Sequence, residues 1–162
     1  MDKQILDVCC GGKMFYCDKD DCRVLFCDKR YEPVRKMSNG GYFGVMPDKI
    51  HDFRNMDFKD DSFSLVIFDP PHLFCGKKSF MYTKYGTLEH FGKWKKDLAK
   101  GFSECFRVLK PAGTLIFKWC DADISLKEVL SLTPEKPVIT HTAKSNSGFK
   151  NTYFCVFFKE AK

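Results

Sequence analysis

Short runs of apolar residues recur along the chain and alternate with polar stretches. The first five runs are Ile5–Cys9, Val24–Cys27, Lys49–Phe53, Leu65–Phe68 and Thr114–Trp119. They are too short for helices and lack an alternating pattern, which is typical of strands buried on both faces of a parallel sheet. Two later runs, Pro137–His141 and Thr152–Lys159, are separated by a ten-residue polar loop and predict an antiparallel hairpin.

Two segments have helical patterns. From Thr87 to Leu109 apolar residues recur every three or four positions and form one stripe, after which Pro111 and Gly113 end the helix. A second helix is predicted to begin at Ser125, since Glu128 follows at the spacing of a capping box. Strands alternating with helices predict an α/β fold, a Rossmann-like three-layer sandwich. We expect a mostly parallel seven-stranded sheet whose last strand is antiparallel.

Length and composition narrow the classes of protein. The 162 residues fit a single domain over 1–162, and no linker or repeat divides them. No apolar run approaches the roughly 20 residues of a membrane span. The nine cysteines are an odd number without Cys-x-x-Cys spacing, and the first residues do not resemble a secretory signal. We therefore expect reduced thiols, a cytoplasmic location, no membrane association and no metal.

Polar residues and glycines follow the predicted strands, at the edge of the sheet where ligands bind in α/β folds. The first strand runs into Asp7 and then Cys9-Cys10-Gly11-Gly12, whose glycines permit close approach of a ligand to the backbone. The turn lacks Gly-x-Gly-x-x-Gly, which disfavours a nicotinamide dinucleotide. Asp28 ends the second strand 21 residues after Asp7, where a carboxylate commonly accepts ribose hydroxyls.

The fourth strand is followed directly by Asp69-Pro70-Pro71-His72. The prolines make this exit rigid and remove two backbone donors. A carboxylate and a proline carbonyl can together accept both hydrogens of a planar amine. That arrangement directs the nitrogen lone pair toward an electrophile, as a methyl transfer requires.

Together these motifs resemble those of the class I S-adenosylmethionine-dependent methyltransferases, over nearly the whole chain. The corresponding segments are Asp7–Gly12, Asp28, Asp52-Phe53, Asp69–His72 and Arg107–Thr114. The Asp69–His72 motif resembles that of the amino-methyltransferase subclass, which methylates exocyclic nitrogens of nucleobases. The chain as a whole is similar to small phage and prophage methylases.

The resemblance implies S-adenosylmethionine as the cofactor and adenine N6 in DNA or RNA as the target. The implied cofactor-binding residues are Asp7, Cys9, Cys10, Gly11, Asp28, Asp52, Phe53 and Asp69. The implied catalytic residues are Asp69, Pro70, Pro71 and His72. His72 stands where the subclass has Tyr, Phe or Trp, and its imidazole can stack on a base or form a hydrogen bond.

The net charge of +6 is concentrated in residues 77–118, which hold ten basic and three acidic residues. The start of this segment follows His72 and mixes basic with aromatic residues, a pattern that suits phosphates and stacked bases. The predicted substrate-binding residues are Lys77, Lys78, Tyr82, Lys84 and Tyr85. The alternative is a solvated loop, and the lysines of the following helix are expected to form its exposed face.

Three interpretations remain open from the sequence. The chain has no room for a separate target-recognition domain, so a protein partner could supply target recognition to a nucleic-acid methyltransferase. An enzyme of the same fold could instead act on a small molecule or a protein. A third possibility is a non-catalytic binding module.

Overall fold

A seven-stranded sheet and a separate two-stranded hairpin form the framework. The computed structural model describes residues 3–88, 93–144 and 150–161. Within these ranges the strands are β1 (Ile5–Asp7), β2 (Val24–Asp28), β3 (Glu32–Lys36), β4 (Tyr42–Val45), β5 (Lys49–Ile50), β6 (Phe63–Phe68), β7 (Leu109–Cys120), β8 (Ile139–Lys144) and β9 (Asn151–Phe158). The helices are α1 (Phe80–Tyr85), α2 (Lys93–Val108) and α3 (Leu126–Leu130).

The strand order explains where a ligand can bind. The sheet runs β5-β2-β1-β6-β7-β9-β8, and all pairings are parallel except those of β9 with β7 and β8. This confirms the predicted α/β fold, with a mostly parallel seven-stranded sheet, an antiparallel last strand and the β8–β9 hairpin. The order reverses between β1 and β6, which opens a crevice at the carboxyl ends of β1, β2 and β6.

Helix α2 covers the middle of the sheet with the predicted apolar stripe. Leu98, Phe102 and Cys105 are fully buried in the core that the helix shares with β6 and β7. The helix is shorter than the predicted Thr87–Leu109 range: Thr87 and Leu88 are not helical, and residues 89–92 lie outside the described part. At its end the chain enters β7 at once, so Pro111 lies inside the strand.

Two other predictions differ from the structure. The predicted strand at Lys49–Phe53 is only two residues long, because the chain leaves the sheet at His51. The hairpin β3–β4 was not predicted, since β3 reads Glu-Pro-Val-Arg-Lys and four of its five residues are exposed. The second helix begins as predicted: the Ser125 hydroxyl accepts the Glu128 amide at 3.3 Å.

Candidate active site

A cavity of about 840 Å³ opens at the carboxyl ends of β1, β2 and β6. Its volume lies within the roughly 300–1,000 Å³ of small-molecule sites. Fourteen residues predicted from the sequence line it: Asp7, Cys9, Cys10, Gly11, Asp28, Phe53, Asp69, Pro70, Pro71, His72, Lys77, Tyr82, Lys84 and Tyr85. The fold therefore brings most of the predicted cofactor-binding, catalytic and substrate-binding residues together around one cavity.

Asp7 is a buried carboxyl at the end of β1. Its oxygens accept hydrogen bonds from the Cys9 amide at 3.1 Å and the Tyr16 hydroxyl at 2.9 Å. Burial raises the pKa of Asp7 to about 7, and the nearby Asp69 and Asp28 carboxylates add to this rise. Three carboxyl groups thus converge on the cavity, a setting that favours a cationic ligand.

The turn after β1 is locked to the end of β2. The Gly11 amide donates to Asp28 Oδ2 at 3.0 Å, and Gly11 has φ +50°, the region that favours glycine. The nearest atom to a Cβ built at Gly11 is the Lys84 carbonyl oxygen, at 4.0 Å. The turn therefore brings its backbone to the cavity beside α1, with the Asp28 carboxylate held against the Gly11 amide.

Arg30 connects this carboxylate to α1. Its amide donates to Asp28 Oδ1 at 2.9 Å, and its Nη1 donates to the Thr83 carbonyl at 3.2 Å. The ends of the segment that carries α1 are held together by Thr87 Oγ1, which accepts from the Cys75 amide and donates to the Leu73 carbonyl, both at 3.1 Å. Helix α1 thus forms a cavity wall beside the Gly11 turn.

Asp69 is paired with a lysine that sequence reasoning did not assign to the site. Lys118 Nζ lies 2.8 Å from Asp69 Oδ2, and its side chain is only 16% exposed. Burial raises the pKa of Asp69, while the Lys118 ammonium opposes the rise. Lys118 also lies 5.0 Å over the Phe15 ring. The pair leaves Asp69 Oδ1 to accept a hydrogen from a substrate.

His72 is a buried neutral imidazole. Burial lowers its pKa to about 4, and the Lys118 ammonium adds to the effect. Interaction with the Pro70 backbone opposes part of this decrease. The rings of Tyr85 and Trp119 lie 5.4 and 6.1 Å from the imidazole. The ring is thereby fixed in orientation within an aromatic environment.

Phe53 and Asp52 are placed differently although they are adjacent. Phe53 lines the cavity and packs edge-on against Phe68, with ring centroids 5.3 Å apart. Asp52 does not line it, because Arg54 binds both of its oxygens at 2.9 and 2.6 Å. This pairing lowers the pKa of Asp52 to about 2. The implied role of Asp52 in binding adenine stays a prediction.

The basic residues divide between cavity and surface. Lys77 and Lys84 line the cavity, and Lys78 does not. Lys93 at the start of α2 also lines it, whereas Lys95 pairs with Glu128 at 3.0 Å on the outer surface. The α2 lysines were expected to form only its exposed face, and Lys93 differs because it also lines the cavity.

The cysteines beside the cavity are unsuited to nucleophilic chemistry. Burial raises the pKa of the Cys9 and Cys10 thiols far above neutrality, and nearby carboxylates raise it further. The thiolate is the reactive form of cysteine. These two side chains therefore serve as small neutral packing groups next to the Gly11 turn.

Two functional candidates escaped sequence reasoning, although each left a signal. Lys118 is a charged residue between the buried Phe117 and Trp119 of an apolar strand. A lysine in such a strand indicates a polar partner or ligand beside it. Arg30 stands two residues after Asp28, within reach of its carboxylate. Its contact with Thr83 depends on the fold and has no sequence signal.

Comparisons with known proteins identify the fold. No family model and no curated protein matches the sequence. Among solved structures, an S-adenosylmethionine-dependent methyltransferase from Methanosarcina mazei aligns over 98% of this chain and 92% of that one, with 13% identity and a TM-score of 0.57. The N1-methyltransferase of 1,6-didemethyltoxoflavin from Burkholderia thailandensis, solved with its substrate and S-adenosylhomocysteine, aligns over 96% and 70%, with 13% identity and a TM-score of 0.60.

The chain has the methyltransferase fold. A cyclase, SpnF, shares that fold at 12% identity over 98% of this chain and 75% of its own, with a TM-score of 0.59. The methyltransferase fold thus does not fix the reaction, which has to be argued from the site.

Two findings bear on other classes of ligand. Within the described part of the chain, no helix is both long and apolar enough to cross a membrane. Over the same residues, no group of three or more His, Cys, Asp or Glu side chains could hold a metal ion.

Proposed function

We propose that this chain is an S-adenosylmethionine-dependent methyltransferase that acts on an exocyclic amino nitrogen, with adenine N6 in DNA or RNA as the target. One observation carries the proposal: the Asp69-Pro70-Pro71-His72 turn opens on the same cavity as Asp7, Gly11 and Asp28. Groups suited to a nucleoside cofactor and groups suited to an amine therefore face each other.

The cavity residues fit the cofactor. The Gly11 turn and the Asp7 carboxyl would hold the methionine portion, the Asp28 carboxylate the ribose, and Phe53 one face of the adenine ring. The sulfonium supplies an activated methyl group when bound, so the protein has mainly to position the acceptor and exclude water. Acidic groups around a cationic sulfonium stabilise its binding.

The acceptor side fits a planar amine. Asp69 Oδ1 and the Pro70 carbonyl would accept its two hydrogens. The nitrogen would take the methyl group from the sulfonium, which would leave as a neutral thioether, and the Asp69 carboxylate would accept the proton that the methylated nitrogen then loses. His72 is neutral and lines the cavity, so its ring face could stack on a flipped-out base. Lys77 and Lys84 would bind phosphates at the rim.

The deciding experiment measures cofactor binding and methyl transfer separately. We expect S-adenosylhomocysteine to bind in calorimetry. We also expect a labelled methyl group to appear in adenine after incubation with DNA or RNA pools and nucleoside analysis. Asp69→Ala should abolish transfer while the cofactor product still binds, and Asp20→Ala, at an exposed carboxylate, should retain both.

The outcomes separate the alternatives. Label in a protein pool or in a small molecule would move the substrate to another class within the same fold. Cofactor binding without transfer to any pool would favour a binding module. Absence of S-adenosylhomocysteine binding would reject the proposed function.

A further inference from the structure

The hairpin β3–β4 lies beside the cavity and exposes large side chains to solvent. Tyr42 is 73% exposed and Val34 59%, and Tyr31, directly before β3, is 55% exposed. Arg35 and Lys36 are exposed as well. Neither has a carboxylate oxygen within 4 Å among the described residues.

The hairpin is a preformed element. In its turn the Met37 amide donates to the Gly41 carbonyl at 2.7 Å, and the Gly41 amide donates to Asn39 Oδ1 at 3.1 Å. A Cβ at Gly44 would lie 2.8 Å from the Val34 backbone, so glycine is required for the strands to approach this closely. Such rigidity reduces the entropy lost when a partner binds.

The hairpin is anchored to the cavity wall. A Cβ at Gly12, which lines the cavity, would lie 2.6 Å from the Phe43 ring, so the two are in close contact. Arg35 pairs with Phe43 across the strands, and Lys36 pairs with Tyr42. Cross-strand partners project from the same face. Arg35 therefore shares the face of Phe43, and Lys36 lies beside the exposed Tyr42 ring on the other.

The charge of the segment indicates the partner. Residues 29–46 contain four basic residues and one acidic residue, and that residue, Glu32, lies 3.7 Å from Arg30. The cavity lining itself carries Lys77 and Lys84. Unpaired cations next to exposed aromatic rings suit a strand of phosphates and unstacked bases.

We propose that the hairpin β3–β4 is the element that grips the nucleic-acid strand on either side of the target base. This inference rests on the proposed function and gives it a recognition surface within the chain. Arg35 binds a phosphate on the face that it shares with Phe43, and on the other face Lys36 binds a phosphate and Tyr42 stacks on a base. The strand then continues past Lys77 and Lys84 at the cavity.

The test compares charge-matched variants in binding to labelled single-stranded DNA and RNA of about 16 nucleotides. Arg35→Gln/Lys36→Gln is set against Lys127→Gln/Lys136→Gln, which removes two exposed lysines outside the cavity lining. We expect the hairpin variant to bind about tenfold more weakly. The slope of log affinity against log salt should become shallower by about 1.4, as two lost phosphate contacts imply. Comparing the DNA and RNA arms shows which strand is preferred.

Tyr42→Ser gives an independent readout. Its binding should weaken about fivefold or more while the salt slope stays unchanged, because stacking involves no counterion release. Equal affinities for the hairpin and control variants would overturn the inference. So would a change in sedimentation of Arg35→Gln/Lys36→Gln, since it would make the hairpin a contact between copies. S-adenosylhomocysteine calorimetry on the same samples separates either outcome from failure of the proposed function.

Discussion

At the scale of single residues, the Asp69–Lys118 pair determines how the site would respond to pH. Burial alone pushes the Asp69 carboxyl toward its neutral form, and the Lys118 ammonium at 2.8 Å counters this. A carboxylate accepts hydrogens from an amine, whereas a protonated carboxyl loses much of that capacity. Lys118 therefore has a positioning and electrostatic role toward Asp69.

Replacing Lys118 tests this role. In Lys118→Met the pKa of Asp69 should rise further, so the rate of methyl transfer should need a higher pH. We expect the acidic limb of the pH–rate profile to move about one pH unit or more to the alkaline side. Lys118→Arg keeps the positive charge and should leave the limb in place. An unmoved profile in Lys118→Met would mean that the ammonium does not control Asp69.

Asp7 predicts a pH dependence of stability. Its pKa is about 7 in the folded protein against an ordinary 3.8, so the folded state holds this proton more tightly than the unfolded chain does. The stabilisation from the bound proton is complete below about pH 4 and is lost as the pH rises through 7. Asp7→Asn cannot ionise and should avoid the loss.

The comparison uses urea unfolding of both proteins across this pH range. Above pH 7, Asp7→Asn should be more stable than the parent by about 1–4 kcal/mol, and near pH 4 the two should converge. Asp20→Asn, at an exposed carboxylate, is the control. A constant difference between Asp7→Asn and the parent at all pH values would contradict the assignment.

At the scale of elements, the approach of α2 to the sheet depends on one glycine. A Cβ at Gly101 would lie 2.6 Å from the Phe68 ring and 2.8 Å from the ring of Phe53, which lines the cavity. Gly101→Ala would gain helix propensity yet should lower the free energy of unfolding by about 1–3 kcal/mol through overpacking. Ser103→Ala, two residues on and exposed, should be neutral or slightly stabilising. Urea unfolding measures both, and a stabilised Gly101→Ala would disprove the tight contact.

Helix α1 should contribute to cofactor binding through Arg30. Arg30→Met removes the bond to the Thr83 carbonyl and the ion pair to Asp28, whose Oδ1 lies 3.4 Å from Arg30 Nε. We expect S-adenosylhomocysteine to bind about tenfold more weakly in calorimetry. Arg23→Met, which breaks a surface pair with Asp21, serves as the control. Unchanged affinity in Arg30→Met would show that α1 is not held by this contact.

The strands that could be predicted from the sequence are those whose burial requires a run of apolar residues. The runs that became β1, β2, β6 and β7 are apolar because most of their residues are buried or half-buried. The β3–β4 hairpin was not predicted, since β3 is mostly exposed and has no apolar run. A turn and a close contact at Gly44 hold its strands together. Nearly all the candidate site residues were found because strand-end motifs are local in sequence. Lys118 was missed because its partner Asp69 lies 49 residues away.

At the scale of the whole molecule, part of the positive charge lies at the cavity and part on the surface of α2. The predicted rim lysines Lys77 and Lys84 line the cavity, while Lys96 and Lys100 are exposed on α2 outside its lining. Lys77→Gln/Lys84→Gln should therefore weaken nucleic-acid affinity and reduce the salt slope by about 1.4. Lys96→Gln/Lys100→Gln carries the same net charge and should change both much less. Equal effects in a titration with salt would show that net charge alone attracts the strand.

The bond between Arg30 and Thr83 also bears on the order of events during turnover. Helix α1 faces the Gly11 turn, and its own segment carries Tyr82, Lys84 and Tyr85 toward the substrate side. A strand lying across this segment would hold it closed, so spent cofactor could exchange only after the strand departs. We therefore expect distributive modification, in which each encounter with a strand delivers one methyl group.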